Sequence, residues 1–181
     1  MKSTDFDLIV KSPGRINFIG EHTDYNGGHV LPAAINLGIE IGFRRKKGTV
    51  CYFNSKAIDA FSIDLRKPLL QKKDYWGNYV LGVLDQILKI RPKLISGFDC
   101  QIESNLPIGS GISSSAALEC GVAFGLNELF NLNLSEIDII EIAQKAEHNF
   151  VGTKCGIMDP FVIIKGVKGK IILLNCETLK Y

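Results

Sequence analysis

Apolar residues cluster along this chain with two different periods, and the change from one to the other falls near its middle. Asp7 to Lys11 is a short apolar run, and Val30 to Arg44 is a long β-like stretch interrupted at Pro32. Thr49 to Asn54 and Ala60 to Leu65 predict two more strands, the second alternating Phe61, Ile63 and Leu65 inward. Between Asp74 and Ile90 the spacing becomes helical: Trp76, Val80, Val83, Leu84, Ile87 and Leu88 share a face, and Arg91-Pro92 ends the helix. Gly97 to Glu103 reads as one further strand.

The second half is more helical. A loop from Leu106 to Gly111 leads into a helix that starts at Ser113 or Ser114 and runs to Phe130. A second helix begins at Ser135, which can cap it together with Asp138, and continues to Phe150. Phe161 to Lys165 and Ile171 to Asn175 are strand-like, and Gly166-Val167-Lys168-Gly169 between them suggests a hairpin. With no internal repeat, low-complexity segment or linker, residues 1–181 read as a single α+β domain.

Composition narrows the class. With 46% hydrophobic and 22% charged residues, the chain suits a soluble globular fold with a real core. The 21 basic and 19 acidic residues nearly cancel, so nothing points to nucleic acid. The one basic run, Arg44-Arg45-Lys46-Lys47, fits a solvated connection after a strand. Met1 to Asp7 shows no secretory signal, and no apolar stretch is long enough to cross a bilayer, so a cytoplasmic location is expected. Five cysteines, odd in number and without a CxxC pair, predict reduced thiols rather than a disulfide framework or a zinc site. Cys155 reads as a bystander, because no His or basic residue beside it is an obvious activator.

Four segments carry candidate chemistry. Gly14 to Gly28, GRINFIGEHTDYNGG, crowds Arg15, Asn17, Glu21, His22, Thr23, Asp24, Tyr25 and Asn26 around Ile16, Phe18 and Ile19. Alternating acceptors and donors on a tight turn suit the hydroxyls of a sugar or polyol. The same residues also describe a turn whose Asx side chains cap their own backbone. In the second segment, LPIGSGISSSAALE, Gly109, Ser110 and Gly111 are followed by Ile112, Ser113, Ser114 and Ser115 at a helix start. Amide donors, hydroxyls and the positive helix end together suit an anion such as a nucleotide phosphate. No Lys follows the second glycine, so this is not a Walker A loop, and it lacks the glycine spacing of a dinucleotide fingerprint. A serine-capped helix after a glycine turn is the plainer description.

Glu147 is the third. It lies four residues beyond Ala143 and seven beyond Ile140, on their apolar face. An inward carboxylate needs a partner, either a divalent metal or a basic residue such as Arg15. Neighbouring His148 turns away from that face and reads as a surface histidine. In the fourth segment, CGIMDPF, Asp159 sits among Ile157, Met158, Pro160 and Phe161, where a carboxylate wants a cation; Arg15 is the candidate. An Asp before Pro is also a common helix N-cap.

Taken together, these segments resemble the GHMP small-molecule kinases, and among them the galactokinases, from about Ser12 onward and in the family's order. The resemblance implies the family's N-terminal α+β domain, similar to the second domain of ribosomal protein S5. It implies transfer of the γ-phosphoryl group of ATP to the C1 hydroxyl of α-D-galactose, with ATP and Mg²⁺ as cofactors. Asp159 would be the catalytic carboxylate and Arg15 the cation that holds it ionised and stabilises the transferring charge. Glu21, His22, Thr23, Asp24 and Gly156 would hold galactose together with Asp159. Gly109 to Ser115 would cradle the phosphates, Ser115 and Glu147 would hold Mg²⁺, and Trp76, with Ser55 nearby, would lie beside adenine. For Trp76 a core position at helical spacing is the competing description.

Two departures from the family pattern carry expectations of their own. Pro160 stands where the family usually has Gln, and its fixed φ and missing amide predict altered geometry in the loop. The family's C-terminal half, with its Gly-rich third motif, does not follow. The resemblance therefore implies one wall of a cleft, weak or no activity for this chain alone, and an apolar face open to a C-terminal domain or to self-association. A galactokinase-like sugar sensor and an N-acetylgalactosamine kinase are the rival readings. The unbroken run Ser113 to Ala117 favours an enzyme over the sensor, and Thr23 with Asn26-Gly27-Gly28 favours galactose.

Overall fold

The computed structural model describes residues 5–56, 58–73, 75–107 and 109–181. Met1 to Thr4, where the absence of a signal was read, and Asp74, the expected start of a helix, lie outside the described residues, as do Ala57 and Ile108. The elements follow in the order β1 (Leu8–Asn17), β2 (His29–Val30), β3 (Pro32–Arg45), β4 (Val50–Ser55), β5 (Ile58–Asp64), α1 (Gly77–Ile90), β6 (Phe98–Ser104), α2 (Ser114–Phe130), α3 (Glu136–Ala146), α4 (Met158–Lys165) and β7 (Leu174–Asn175).

Among the described residues, five strands form one sheet in the order β1-β3-β6-β4-β5, antiparallel throughout except where β4 lies parallel to β6. Alternate residues of the central strands face one core: Ile39, Ile41 and Phe43 of β3, Phe98, Cys100 and Ile102 of β6, and Cys51 and Phe53 of β4. Phe61, Ile63 and Leu65 pack against the same core from the sheet's edge, as their alternation predicts. Leu84 and Ile87 of α1 and Leu126 of α2 close it from above. α2 sits unusually near the sheet, since a Cβ on Gly125 would come within 2.1 Å of the Phe43 ring.

Several boundaries move for physical reasons. β1 does not stop at Lys11 but continues to Asn17, pairing with β3 on both sides of an irregularity between Pro13 and Arg15. The α3 capping box forms as expected, with Ser135 accepting from the Asp138 amide. Beyond Ala146, however, the helix widens into a single π turn, Glu147–Val151. Phe161 to Lys165 is not a strand: it belongs to α4, which buries Met158, Pro160, Phe161, Val162 and Ile163. A short apolar run bounded by glycine suits a buried helix as well as a strand, and packing of α4 against β1, β3 and α3 decides it. No hairpin follows. β7 pairs instead with β2, His29 opposite Asn175, so its partner lies at the other end of the chain.

Candidate active site

Arg15 reaches the site through the irregularity in β1, where a register shift re-aims the strand. Gly14 is buried there, and a Cβ on it would lie 2.8 Å from Leu106 and 2.9 Å from the Ile112 carbonyl. The glycine–serine loop therefore crosses β1 at the one residue that leaves room. The Arg15 amide donates to Ile112 O (3.2 Å) and its Nη1 to Gly111 O (2.6 Å). Its Nε and Nη2 donate to Asp159 Oδ1 and Oδ2, each at 2.6 Å. This is a bidentate ion pair with side chains 14% and 24% exposed, enough shielding for it to hold its geometry. The cation the sequence sought for Asp159 is thus Arg15, while Glu147 takes other partners.

Asp159 is the second residue of α4, where the helix end favours negative charge, and Ile157 occupies the cap position. The N-cap description therefore does not apply. Pro160 follows within the first turn, where backbone N–H groups have no helical partner in any case. It removes no helix hydrogen bond.

Along the glycine–serine loop φ is positive at Gly109 (72°), Gly111 (70°) and Ser113 (61°), but not at Ser110 or Ile112. Alternation of this kind produces an amide nest that suits an anion. A Cβ on Gly109 or Gly111 would meet nothing within 4 Å, so the concave loop is open. Ser110 Oγ donates to Pro107 O (2.7 Å), and Ser114, the first residue of α2, is exposed. Ser113 stands at the cap of α2 yet makes no capping bond; its hydroxyl donates to Asp159 Oδ2.

Behind the loop, acids crowd together. Glu147 opens the π turn, buried, and hydrogen-bonded to Ser115 and Cys155. Burial pushes its carboxyl above the ordinary range; those two hydrogen bonds oppose the shift and the Asp159 charge adds to it. Glu119 of α2, 1% exposed, hydrogen-bonds to Glu147 and is pushed up to about 10, first by burial and then by the Glu147 charge. Its Oε1 is buried without a partner. Tyr79 of α1 is pushed up too, by burial and then by both carboxyls. Sequence reasoning passed over Glu119, although it lies four residues after Ser115 and so on the same helix face. His148 is also more than a surface histidine: half-buried, it holds the Cys155 carbonyl at 2.7 Å from Nε2.

The donors Ser115 and Glu147 are hard oxygens beside further carboxyls, a setting whose repulsion a cation such as Mg²⁺ relieves, and they fit it. No group of three or more His, Cys, Asp or Glu among the described residues could hold an ion alone. A Mg²⁺ here would thus complete its shell with water and substrate phosphates, its usual habit.

The Gly14–Gly28 segment folds into a turn with a short 3₁₀ stretch, Asp24–Asn26. Thr23 Oγ1 lies 2.7 Å from Gly20 O and 3.0 Å from His29 O, so this hydroxyl staples the turn. Glu21 accepts from Asn17 Nδ2 (3.2 Å), and His22 Nδ1 is 2.8 Å from the Tyr25 hydroxyl; both acid and imidazole are exposed. Asp24 alone of the four presses on the Asp159 loop. A Cβ on Gly156 would lie 1.8 Å from Asp24 Oδ2, so only glycine lets that carboxylate rest there. Far along the sheet, Trp76 lies just before α1, half-buried against Phe61 at 5.1 Å between ring centroids, and donates to Asp59 O (3.2 Å). Ser55 pairs with Ile58 next to that carbonyl, so the two adenine candidates share one hairpin end. Trp76 also packs against the main core, as the competing description held.

The profile of the GHMP kinases N terminal domain matches residues 78–167, and the galactokinase galactose-binding signature matches residues 2–45. The galactokinase of Clostridium acetobutylicum is 42% identical over 181 residues, covering 97% of this chain and 46% of that protein. The galactokinase of Clostridium tetani is 46% identical over 172 residues, covering 94% and 44%. The structure of Lactococcus lactis galactokinase complexed with galactose superposes with a TM-score of 0.91 at 38% identity, over 96% of this chain and 45% of that one. The mevalonate kinase of Methanococcus jannaschii, at 20% identity and a TM-score of 0.81, shares the fold. The chain spans less than half the length of the galactokinases it matches. With fold, loop and sugar signature all in agreement, this chain belongs to the GHMP kinase family and has the fold of its N-terminal domain.

Proposed function

We propose that the chain is the sugar- and phosphate-binding part of an ATP-dependent galactokinase, which converts α-D-galactose to galactose 1-phosphate. The observation that carries this reading is the bidentate Arg15–Asp159 pair at the meeting point of the sugar turn, the glycine–serine loop and α4. Asp159 orients the C1 hydroxyl and accepts its proton, and Arg15, also anchored to Gly111 O, stabilises the charge that develops. Such a transfer depends on positioning and charge neutralisation rather than covalent catalysis. The amide nest at Gly109–Ser113, with Ser114, holds the ATP phosphates, and Trp76 and Ser55 lie toward adenine. Ser115 and Glu147 would hold Mg²⁺, which would supply charge neutralisation for the phosphates. Asp24 and Gly156 form the sugar wall beside Asp159, with Glu21 and His22 presenting exposed groups to it and Thr23 fixing the turn.

We further propose that residues 1–181 act as one domain, and that the second wall of the cleft belongs to a C-terminal domain or a second chain. Phe18, Ile19, Ile171 and Leu173 leave apolar surface beside the sugar turn, the kind another domain covers. Free thiols at all five cysteines suit a reducing cytoplasm, and no helix among the described residues is long and apolar enough to cross a membrane. A coupled ATP-consumption assay with galactose, glucose and N-acetylgalactosamine, run on this chain and on a full-length protein containing it, tests the reading. Galactose-dependent turnover by the full-length protein is the expected result. Preference for N-acetylgalactosamine, or galactose binding without turnover, overturns it.

A further inference from the structure

Ser113 breaks two local rules at once. It holds a left-handed backbone (φ 61°) that a side chain with a Cβ disfavours, and it occupies a cap position without capping. Serine is among the best capping residues, yet this hydroxyl gives its only proton to Asp159 Oδ2. Strain of this kind persists where the surroundings dictate it, and it concentrates at working sites.

Counting donors around Asp159 gives the geometry a direction. A carboxylate offers about two acceptor positions on each oxygen. Oδ2 receives Arg15 Nη2 and Ser113 Oγ, so both of its positions are filled. Oδ1 receives Arg15 Nε, which leaves one position open. We propose that Ser113 is a positioning residue for the phosphoryl transfer: its hydroxyl saturates Oδ2, fixes the Asp159 rotamer, and leaves Oδ1 as the seat of the acceptor hydroxyl. The inference rests on Asp159 being the base of a sugar kinase. It moves the Ser113 side chain from the phosphate cradle to the base and leaves its backbone in the nest.

Two variants of the full-length kinase test it. Ser113→Gly removes the hydroxyl and relieves the left-handed strain, so its melting temperature is expected to equal or exceed that of the parent. Ser113→Ala removes the hydroxyl and keeps the strain. Both are expected to lose kcat by about 10- to 100-fold, the size of one hydrogen bond to a charged group, with KM for ATP changed less than about threefold. An unchanged kcat in a folded Ser113→Gly overturns the proposal, and so does a loss confined to KM for ATP, which would return the hydroxyl to the phosphates. An inactive parent enzyme with every sugar would instead defeat the kinase reading itself.

Discussion

Arg15 meets Asp159 through two hydrogen bonds of 2.6 Å, and at the scale of single residues the proposed chemistry depends on that contact. Replacing Asp159 with Ala in the full-length kinase should lower turnover by about 10²- to 10⁴-fold, the usual contribution of a positioned base. Arg15→Lys keeps the charge but loses the planar fork, so it should also fall well below the parent. Kinetics paired with circular dichroism check both, and near-normal phosphorylation by a folded Asp159→Ala would remove the base assignment. Both residues were legible in the sequence because each stands in a motif that a surface loop has no need for. Their pairing could be named only as a candidate, since the contact closes a chain separation of 144 residues that only the fold brings together. Glu119 was missed for a different reason: in a helix already explained as a serine-started, core-facing segment, one acid looks like the polar face. Its burial shows only once α1 and α3 pack against α2.

At the scale of elements, periodicity located most strands and the first three helices within a few residues, because each buries one face against a single core. It failed where tertiary contact outweighs local pattern: in α4, in the β2–β7 pairing, and in the π turn that starts at Glu147. A π turn inserts a residue without any signature in the hydrophobic period, and such turns recur at functional positions. The closeness of α2 to the sheet is testable at this scale. Gly125→Ala would place a Cβ 2.1 Å from the Phe43 ring, which is fully buried and cannot move aside. Overpacking of this kind should cost about 1–3 kcal/mol, read as a lower urea midpoint with an unchanged slope. A midpoint equal to the parent's would mean that α2 lies farther from β3 than the structure shows.

For the whole molecule, the carboxyl pair behind the active site links stability to pH. Glu119 holds its proton in the folded chain up to about 10, against an ordinary value of 4.5, and Glu147 is shifted in the same direction. Between those two values the folded chain therefore binds more protons than the unfolded chain, so stability falls as pH rises through that window and is unaffected by Glu119 below it. One such group contributes a slope of at most about 1.4 kcal/mol per pH unit. Glu119→Gln keeps a donor for Glu147 and removes the ionisable group, so its curve should be flatter. Urea unfolding in metal-free buffer at several values from about pH 6 to about pH 9 makes the comparison. Taking the difference between the two proteins cancels the titration of groups distant from Glu119, leaving that of Glu119 and its neighbours Glu147 and Tyr79. The variant should gain on the parent steadily as pH increases. Parallel curves would mean that Glu119 ionises without penalty, and that the interior next to Ser115 and Glu147 is wetter than its burial implies. A flattening of the parent's own curve when Mg²⁺ is added would tie the same acids to the cation, because an ion at Glu147 offsets the charge that folding otherwise resists.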